Sequence, residues 1–192
     1  MNDAAPSPSP ADPQPPLLGP RLVLRTGTDD DAAELHRIRC EPSVARWWGS
    51  ADPEEKMAAE LRGEGEEVLF VIEVDSEVAG SIQYSEENEP DYRHAGIDIY
   101  LAARFQGGGL GTEAIAVLAA HLIDDRGHHR LTIDPAVANV RAIRSYERVG
   151  FRTVGVMRSY ERAPDGIWRD ALLMDLLDGE LIRAEAGEVQ AG

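Results

Sequence analysis

The sequence predicts a mixed α/β (α+β) layer structure, and three observations predict it. Apolar β-type runs occur before, between and after the helical patterns rather than in one block. Two pairs of runs are separated by turn residues suited to hairpins, Asp75-Ser76-Glu77 and Asp165-Gly166. A further run, Ile97-Asp98-Ile99-Tyr100-Leu101, leads into Gln106-Gly107-Gly108-Gly109-Leu110-Gly111 and then into a helical pattern from Thr112.

The elements follow in order. Arg21 to Arg25 alternates and reads as a first strand. Thr28 to Asp31 supplies an N-cap and an acidic first turn, after which Ala32, Leu35 and Ile38 keep helical spacing. Pro42 ends that helix or starts the next, and residues 43–49 are unusual for the adjacent Trp47 and Trp48. Pro53 to Gly63 makes another helix. Val68–Val74 and Val78–Tyr84 form a hairpin, and the acidic stretch Glu86 to Asp91 reads as a loop. Helix Thr112–Asp125 buries Ile115, Leu118, Leu122 and Ile123, with Gly127 as its cap. Strand His129–Ile133 follows, then a helix from Asn139 to Gly150 with Val140, Ile143 and Val149 as its apolar stripe. Thr153–Tyr160 and Trp168–Leu177 close the chain as an antiparallel pair.

Length and composition suit one domain over residues 21–180. At 192 residues, with 43% hydrophobic, the chain can bury a full core. Seven of its twelve prolines fall in residues 1–20, which read as a disordered tail, and residues 181–192 read as a flexible C-terminal tail. No basic segment followed by an apolar one marks a secretory signal, and no run of apolar residues is long enough to span a bilayer. The single cysteine, Cys40, excludes an internal disulfide framework and fits the cytoplasm as a packed or idle thiol. With 35 acidic and 19 basic residues the net charge is −16, which disfavours nucleic acid and attracts cations, although it equally serves solubility. The five histidines are scattered without ligand spacing, so no metal is expected.

The glycine loop carries the chemistry. Glycines let the backbone approach an anion closely, and the following helix N-terminus offers orphan N–H donors and a positive dipole end. A phosphate-bearing cofactor is implied. No Lys-Ser or Lys-Thr follows Gly111, and the spacing does not fit Gly-x-Gly-x-x-Gly, which excludes the common nucleotide and dinucleotide loops. Gln106, Gly109 and Gly111 do fit Gln/Arg-x-x-Gly-x-Gly/Ala. A second block, Asn139-Val-Arg-Ala-Ile-Arg-Ser-Tyr146-Glu-Arg-Val-Gly150-Phe151, begins 28 positions after Gly111 and places Asn139 and Tyr146 on nearly one helix face.

On these two blocks the chain resembles the GNAT superfamily of acyl-CoA-dependent N-acyltransferases. The resemblance implies a mostly antiparallel central sheet flanked by helices, with two neighbouring parallel strands splayed in a V around the thioester. It implies acetyl-CoA as cofactor, its pyrophosphate held by Gln106, Gly107, Gly108, Gly109, Leu110, Gly111 and Thr112. Asn139 would bond the pantetheine arm, and Tyr146 would protonate the leaving thiolate. A backbone N–H near Tyr100 or Leu101 would polarise the carbonyl.

Strand alternation places Asp98 and Tyr100 on one face and Ile97, Ile99 and Leu101 on the other. Asp134 ends its strand before Pro135, where an Asx turn is the plainer reading. The strings Val44-Ala-Arg-Trp-Trp-Gly49, Gly96-Ile-Asp98, Gly109-Leu-Gly-Thr112 and Ile133-Asp-Pro135 look like those of aminoglycoside 6'-N-acetyltransferases, in the same order. That likeness implies that Asp98 and Asp134 contact the substrate amines and share the catalytic role with Tyr146. It also implies that Trp47 or Trp48 walls the sugar site, with core packing as the alternative for both. The expected activity is acetylation of a cationic small-molecule amine by a monomer or homodimer, with antibiotic resistance as its consequence. Arg21-Leu-Val-Leu-Arg25 and Trp168-Arg-Asp-Ala-Leu-Leu-Met174 resemble instead the ribosomal-type protein N-terminal acetyltransferases, the alternative enzyme reading. A module that binds acyl-CoA or a drug without turnover is the third reading, and a thiol proton donor at Tyr146 argues against it.

Overall fold

The computed structural model describes residues 14–49, 51, 53–163 and 165–183. Its strands are β1 (Leu17–Leu18), β2 (Val23–Thr26), β3 (Val68–Val74), β4 (Glu77–Glu87), β5 (His94–Leu101), β6 (Arg130–Ile133), β7 (Arg152–Arg162) and β8 (Trp168–Leu177). Its α-helices are α1 (Ala32–Arg39), α2 (Pro42–Trp48), α3 (Glu54–Leu61), α4 (Leu110–Asp124) and α5 (Val140–Glu147). The strands form one sheet in the order β1-β2-β3-β4-β5-β6-β8-β7. Among the described residues only the β5–β6 pair is parallel.

Strand alternation divides the core into two. In β3, Phe70 and Ile72 join the cluster beneath α4, which holds Ile115, Leu118 and Leu122. The intervening Val71 joins the opposite cluster with Leu35, Ile38 and Met57 from α1 and α3. Helices therefore cover both faces of the sheet.

Residues 1–13 of the expected N-terminal tail lie outside the described residues, but residues 14–20 are described and are built into the domain. Leu17 and Leu18 pair with Leu24 and Val23. The Gln14 N–H donates to the Thr26 hydroxyl at 3.0 Å, and Leu17 packs against the larger core. Leu17 supplies apolar burial that the proline-rich composition obscured, while Leu18 stays exposed. At the other end Leu181 packs on the core, the Ile182 N–H donates to the Val149 carbonyl at 2.9 Å, and Arg183 forks onto Asp124. Residues 184–192 lie outside the described residues.

β4 runs further than its composition suggests. Glu86 and Glu87, expected in a loop, stand opposite Ala95 and His94. The reason is neutralisation: the Glu86 carboxylate accepts from Arg126 at 3.3 Å and contacts His128 Nε2 at 2.7 Å. In α5, Val140 departs from the expected stripe and is exposed, while Tyr146 and Val149 are buried.

The parallel pairing of β5 and β6 is short. It holds only Ala95 opposite Leu131 and Gly96 opposite Thr132. β5 continues to Leu101, whereas Asp134-Pro135 turns the other chain toward β8, where Leu172 donates to the Pro135 carbonyl and Ala136 stands opposite Ala171. A V-shaped gap opens between the strands, as the resemblance implies.

Candidate active site

The gap widens into a cleft of about 880 Å³, and the glycine loop forms one end of it. Gly109, at φ +85°, is the N-cap of α4, and Gly107 has φ +91°. Both conformations favour glycine. The first backbone bond into α4 from this end runs from the Glu113 N–H to the Gly109 carbonyl, so the N–H groups of Leu110, Gly111 and Thr112 have no helical acceptor. They sit at the positive end of a 15-residue helix, a donor set suited to a pyrophosphate.

Gln106, Gly107, Gly109, Gly111 and Thr112 line the cleft; Gly108 and Leu110 do not. The Gly108 carbonyl accepts from Arg21, and Leu110 packs against the core. The Gln106 side chain turns inward, donating to the Leu101 carbonyl at 2.7 Å and to the Ser43 hydroxyl at 3.4 Å. It shapes the loop rather than extending toward an anion. Two arginines flank the bend: Arg21, paired with Glu113 at 2.7 Å, and Arg141, which donates to Gln106 Oε1 at 3.5 Å.

The splayed strand supplies a second set of donors. The Ala102 N–H donates to the Ala79 carbonyl, so the alternation of an antiparallel ladder turns the Tyr100 and Asp98 backbone groups toward β4. A Cβ on Gly80 would collide with the Tyr100 carbonyl, which confirms the direction. The Ile99 and Leu101 backbone groups therefore face the gap. Their carbonyls are taken by Trp48 Nε1 at 3.2 Å and by Gln106, while their N–H groups have no β6 partner. Of the two positions expected to polarise a carbonyl, Leu101 has this orientation. Tyr100 does not, and its buried ring packs edge-on against Trp48 with centroids 5.0 Å apart.

α5 forms the facing wall. Asn139 caps it, its side-chain oxygen accepting from the Ala142 N–H at 3.3 Å, which leaves the Asn139 amide hydrogens for another acceptor. Tyr146, one face below, is buried beside Phe151 and lines the cleft. Burial, then the charges of Asp98 and Asp134, raise its pKa and keep its hydroxyl protonated.

The other end of the cleft is acidic. Asp98 stays accessible to water, yet the crowding walls push its pKa up to about 7, helped by Asp134, Glu67 and Glu161. The Asp134 pKa is also raised by burial and opposed by a hydrogen bond from the Tyr160 hydroxyl. That bond, with the Asp134 charge, lifts Tyr160 to about 12. No side-chain bond of an Asx turn forms at Asp134 among the described residues. Trp47 and Trp48 both line the cleft; Trp48 also packs on the smaller core, while Trp47 lies between Arg46 and Arg169. A second, polar cavity of about 390 Å³ shares Asp98, Asp134 and Tyr160 and opens past Glu87 and His94.

Sequence reasoning missed Tyr160 and Glu161. The register of β7 against β8 slips between Met157 and Glu161, and Ser159 has φ +50° with its N–H on Asp170 at 2.8 Å. This bulge aims both residues into the cleft, and no glycine marks it. Arg21 and Arg169 were also missed, because their partners lie 92 and 122 positions away.

A glycine-rich helix N-terminus joined to an amide-lined gap and a buried tyrosine is the arrangement that suits a coenzyme-A-dependent acyltransferase. Residues 21–152 match the family described as "Acetyltransferase (GNAT) domain", and the chain belongs to that family. Its reaction is acetyl transfer from acetyl-CoA to an amine. Aminoglycoside N(6')-acetyltransferase type 1 of Klebsiella pneumoniae is 29% identical over 164 residues, covering 76% of this chain and 79% of that protein. A structure titled as AAC(6')-Ib in complex with Parmomycin and AcetylCoA superposes with TM-score 0.70 at 27% identity, over 86% of this chain and 99% of that one. Mycobacterium smegmatis RimJ in complex with CoA-disulfide superposes with TM-score 0.75 at 27% identity, over 91% of each chain. Among the described residues no helix is long and apolar enough to cross a membrane, and no cluster of His, Cys, Asp and Glu is arranged to hold a metal.

Proposed function

We propose that this enzyme acetylates an amine of an aminoglycoside, at the 6' position. The observation that carries the reading is the convergence of Asp98, Asp134 and Glu161 on one side of a cleft whose other end is the glycine loop. A polyamine sugar brings several positive charges to such a site, and the indoles of Trp47 and Trp48 offer flat walls for its rings. The similarity to the Klebsiella enzyme, which extends over most of both chains, supports the same acceptor.

The cofactor supplies an acetyl group activated as a thioester. The remaining work belongs to the chain's own residues. A substrate ammonium with a pKa near 9 is about one per cent neutral at pH 7, and only the neutral amine is a nucleophile. Asp98, with its pKa up to about 7, is matched to accept the surplus proton, while Asp134 holds the neighbouring positive charge. The N–H groups of Ile99 and Leu101 attract the acyl oxygen, and Tyr146 holds a proton for the departing sulfur. Alignment of two bound reactants supplies much of the acceleration.

The resemblance of residues 21–25 and 168–174 to the ribosomal-type protein N-terminal acetyltransferases favours a second reading, acetylation of a protein N-terminus. Purified protein is incubated with acetyl-CoA and tobramycin or kanamycin, with free thiol as readout and peptides as a parallel arm. Thiol release with the drugs and 6'-acetylated product by NMR is expected. Release with peptides alone transfers the assignment to the second reading.

A further inference from the structure

Arg169 joins the two walls of the acceptor side. It stands opposite Glu161 in the β7–β8 ladder and donates to both carboxylate oxygens, at 3.1 Å from Nε and 2.6 Å from Nη2. The same guanidinium reaches across to α2, donating to the Arg46 carbonyl at 2.9 Å and the Trp47 carbonyl at 2.7 Å. Its carbon lies 5.7 Å from the centre of the Trp47 ring. These carbonyls belong to the last turn of α2, and among the described residues no helical donor reaches them. Arg39 takes the next one, Trp48 O, at 3.2 Å. α2 is only seven residues long, so external caps hold its C-terminal end, and Arg169 is the cap that also reaches the acidic wall.

We propose that Arg169 is a positioning residue that sets the width of the acceptor site, tying the Trp47 wall to Glu161 and fixing that carboxylate in the cleft lining, where its remaining lone pairs can meet a cationic substrate. The inference rests on the acceptor side assigned above. A planar fork is needed to serve a carboxylate and two carbonyls at once; lysine keeps the charge but not the fork. Arg169, Glu161 and the two α2 carbonyls make no contact with the glycine loop, which α2 meets at its opposite end through Ser43, so loss of the strap acts first on the acceptor side.

The test compares Arg169→Gln, Arg169→Lys, Glu161→Gln and the 161/169 double variant, each checked by circular dichroism. KM for tobramycin is measured beside the calorimetric Kd for CoA. Arg169→Gln is expected to raise the tobramycin KM about tenfold while the CoA Kd stays within about twofold, the pattern of a lost acceptor-side interaction. Arg169→Lys recovers part of the loss, and the double variant is no worse than Arg169→Gln, because the two groups act as one unit. Should Arg169→Gln not fold, Glu161→Gln, which leaves the α2 carbonyls capped, carries the test through its own rise in KM. An unchanged tobramycin KM in folded variants, or an equal weakening of CoA, overturns the strap. A wild-type chain inert toward every aminoglycoside removes the acceptor assignment and this inference together, whereas an active wild type with indifferent variants removes the strap alone.

Discussion

The Gln106 side chain donates to the Leu101 carbonyl at 2.7 Å, so the first residue of the glycine loop is bolted to the last residue of the splayed strand. The glycine loop and the gap-facing amides of Ile99 and Leu101, proposed to hold the pyrophosphate and the thioester, are thereby held in one spatial relation. Gln106→Ala removes the bolt and leaves the Leu101 carbonyl without its donor. The expected result is an acetyl-CoA affinity weakened about tenfold, in the range of one lost buried hydrogen bond. Calorimetry with CoA measures it, and an affinity unchanged within error would show the bolt to be idle.

The helix that follows is started by a glycine in a left-handed conformation. Gly109→Ala forces a Cβ into φ +85°, with an expected cost of about 1–2 kcal/mol. The new carbon stands 3.4 Å from Arg21 Nη2, an ordinary contact with the end of a flexible side chain, so the cost lies in the backbone. Denaturant unfolding gives the stability loss, and CoA binding should weaken alongside it. Loss of stability with intact CoA binding would separate the helix cap from the cradle.

Asp98 ties activity to stability through pH. Its carboxyl is pushed up to about 7, so kcat/KM should rise across neutral pH with a midpoint near that value. Asp98→Asn should abolish this limb and lower kcat by roughly 10² or more. The sign for stability is opposite to that of a salt-bridged carboxylate. Between the ordinary aspartate pKa and about 7 the folded chain binds more protons than the unfolded one, so Asp98 makes stability fall as pH rises through this window. The Asn variant should therefore melt above the wild type at pH 8, and the difference should close toward pH 4. Calorimetric scans at the two pH values decide it; a difference independent of pH would contradict the raised pKa.

Tyr146 is separable from its packing. Tyr146→Phe keeps the ring that stands 6.3 Å from Phe151 and deletes only the hydroxyl. The expected outcome is a kcat lower by about 10²–10³ with CoA affinity and melting temperature nearly unchanged, the loss typical of one proton donor. Leaving-group dependence provides the check. An acyl thioester with a more acidic thiol should recover much of the rate in the variant, and failure to recover would move the donor role elsewhere.

How much of this was legible in the sequence follows from the range of the interactions. The glycine loop and the Asn139 helix are local motifs, each set by residues within one turn or one bend, and they are found where the spacing puts them. Asp98 and Asp134 were legible because strand alternation and a proline fix their faces. Tyr160 and Glu161 were not, since a bulge without glycine re-aims them and β8 inserts between β6 and β7. Between Tyr100 and Leu101 the sequence left the choice open, because which backbone groups face the gap depends on the hydrogen-bonding parity with β4. The Leu17–Leu18 strand was hidden by the prolines around it.

Tyr160 offers the sharpest test of the acidic wall. Its hydroxyl donates to Asp134 and favours the charged carboxylate against the burial that raises the pKa. Tyr160→Phe removes that bond, so the Asp134 pKa should climb further and the wall should lose negative charge first at the acid end. The tobramycin KM is expected to rise more at pH 6 than at pH 8.5, because alkaline pH favours the ionised carboxylate whatever its partner. The CoA Kd, set at the other end of the cleft, should not follow. A KM shift equal at both pH values would mean that Tyr160 contributes contact area alone, and that the charge of Asp134 does not depend on it.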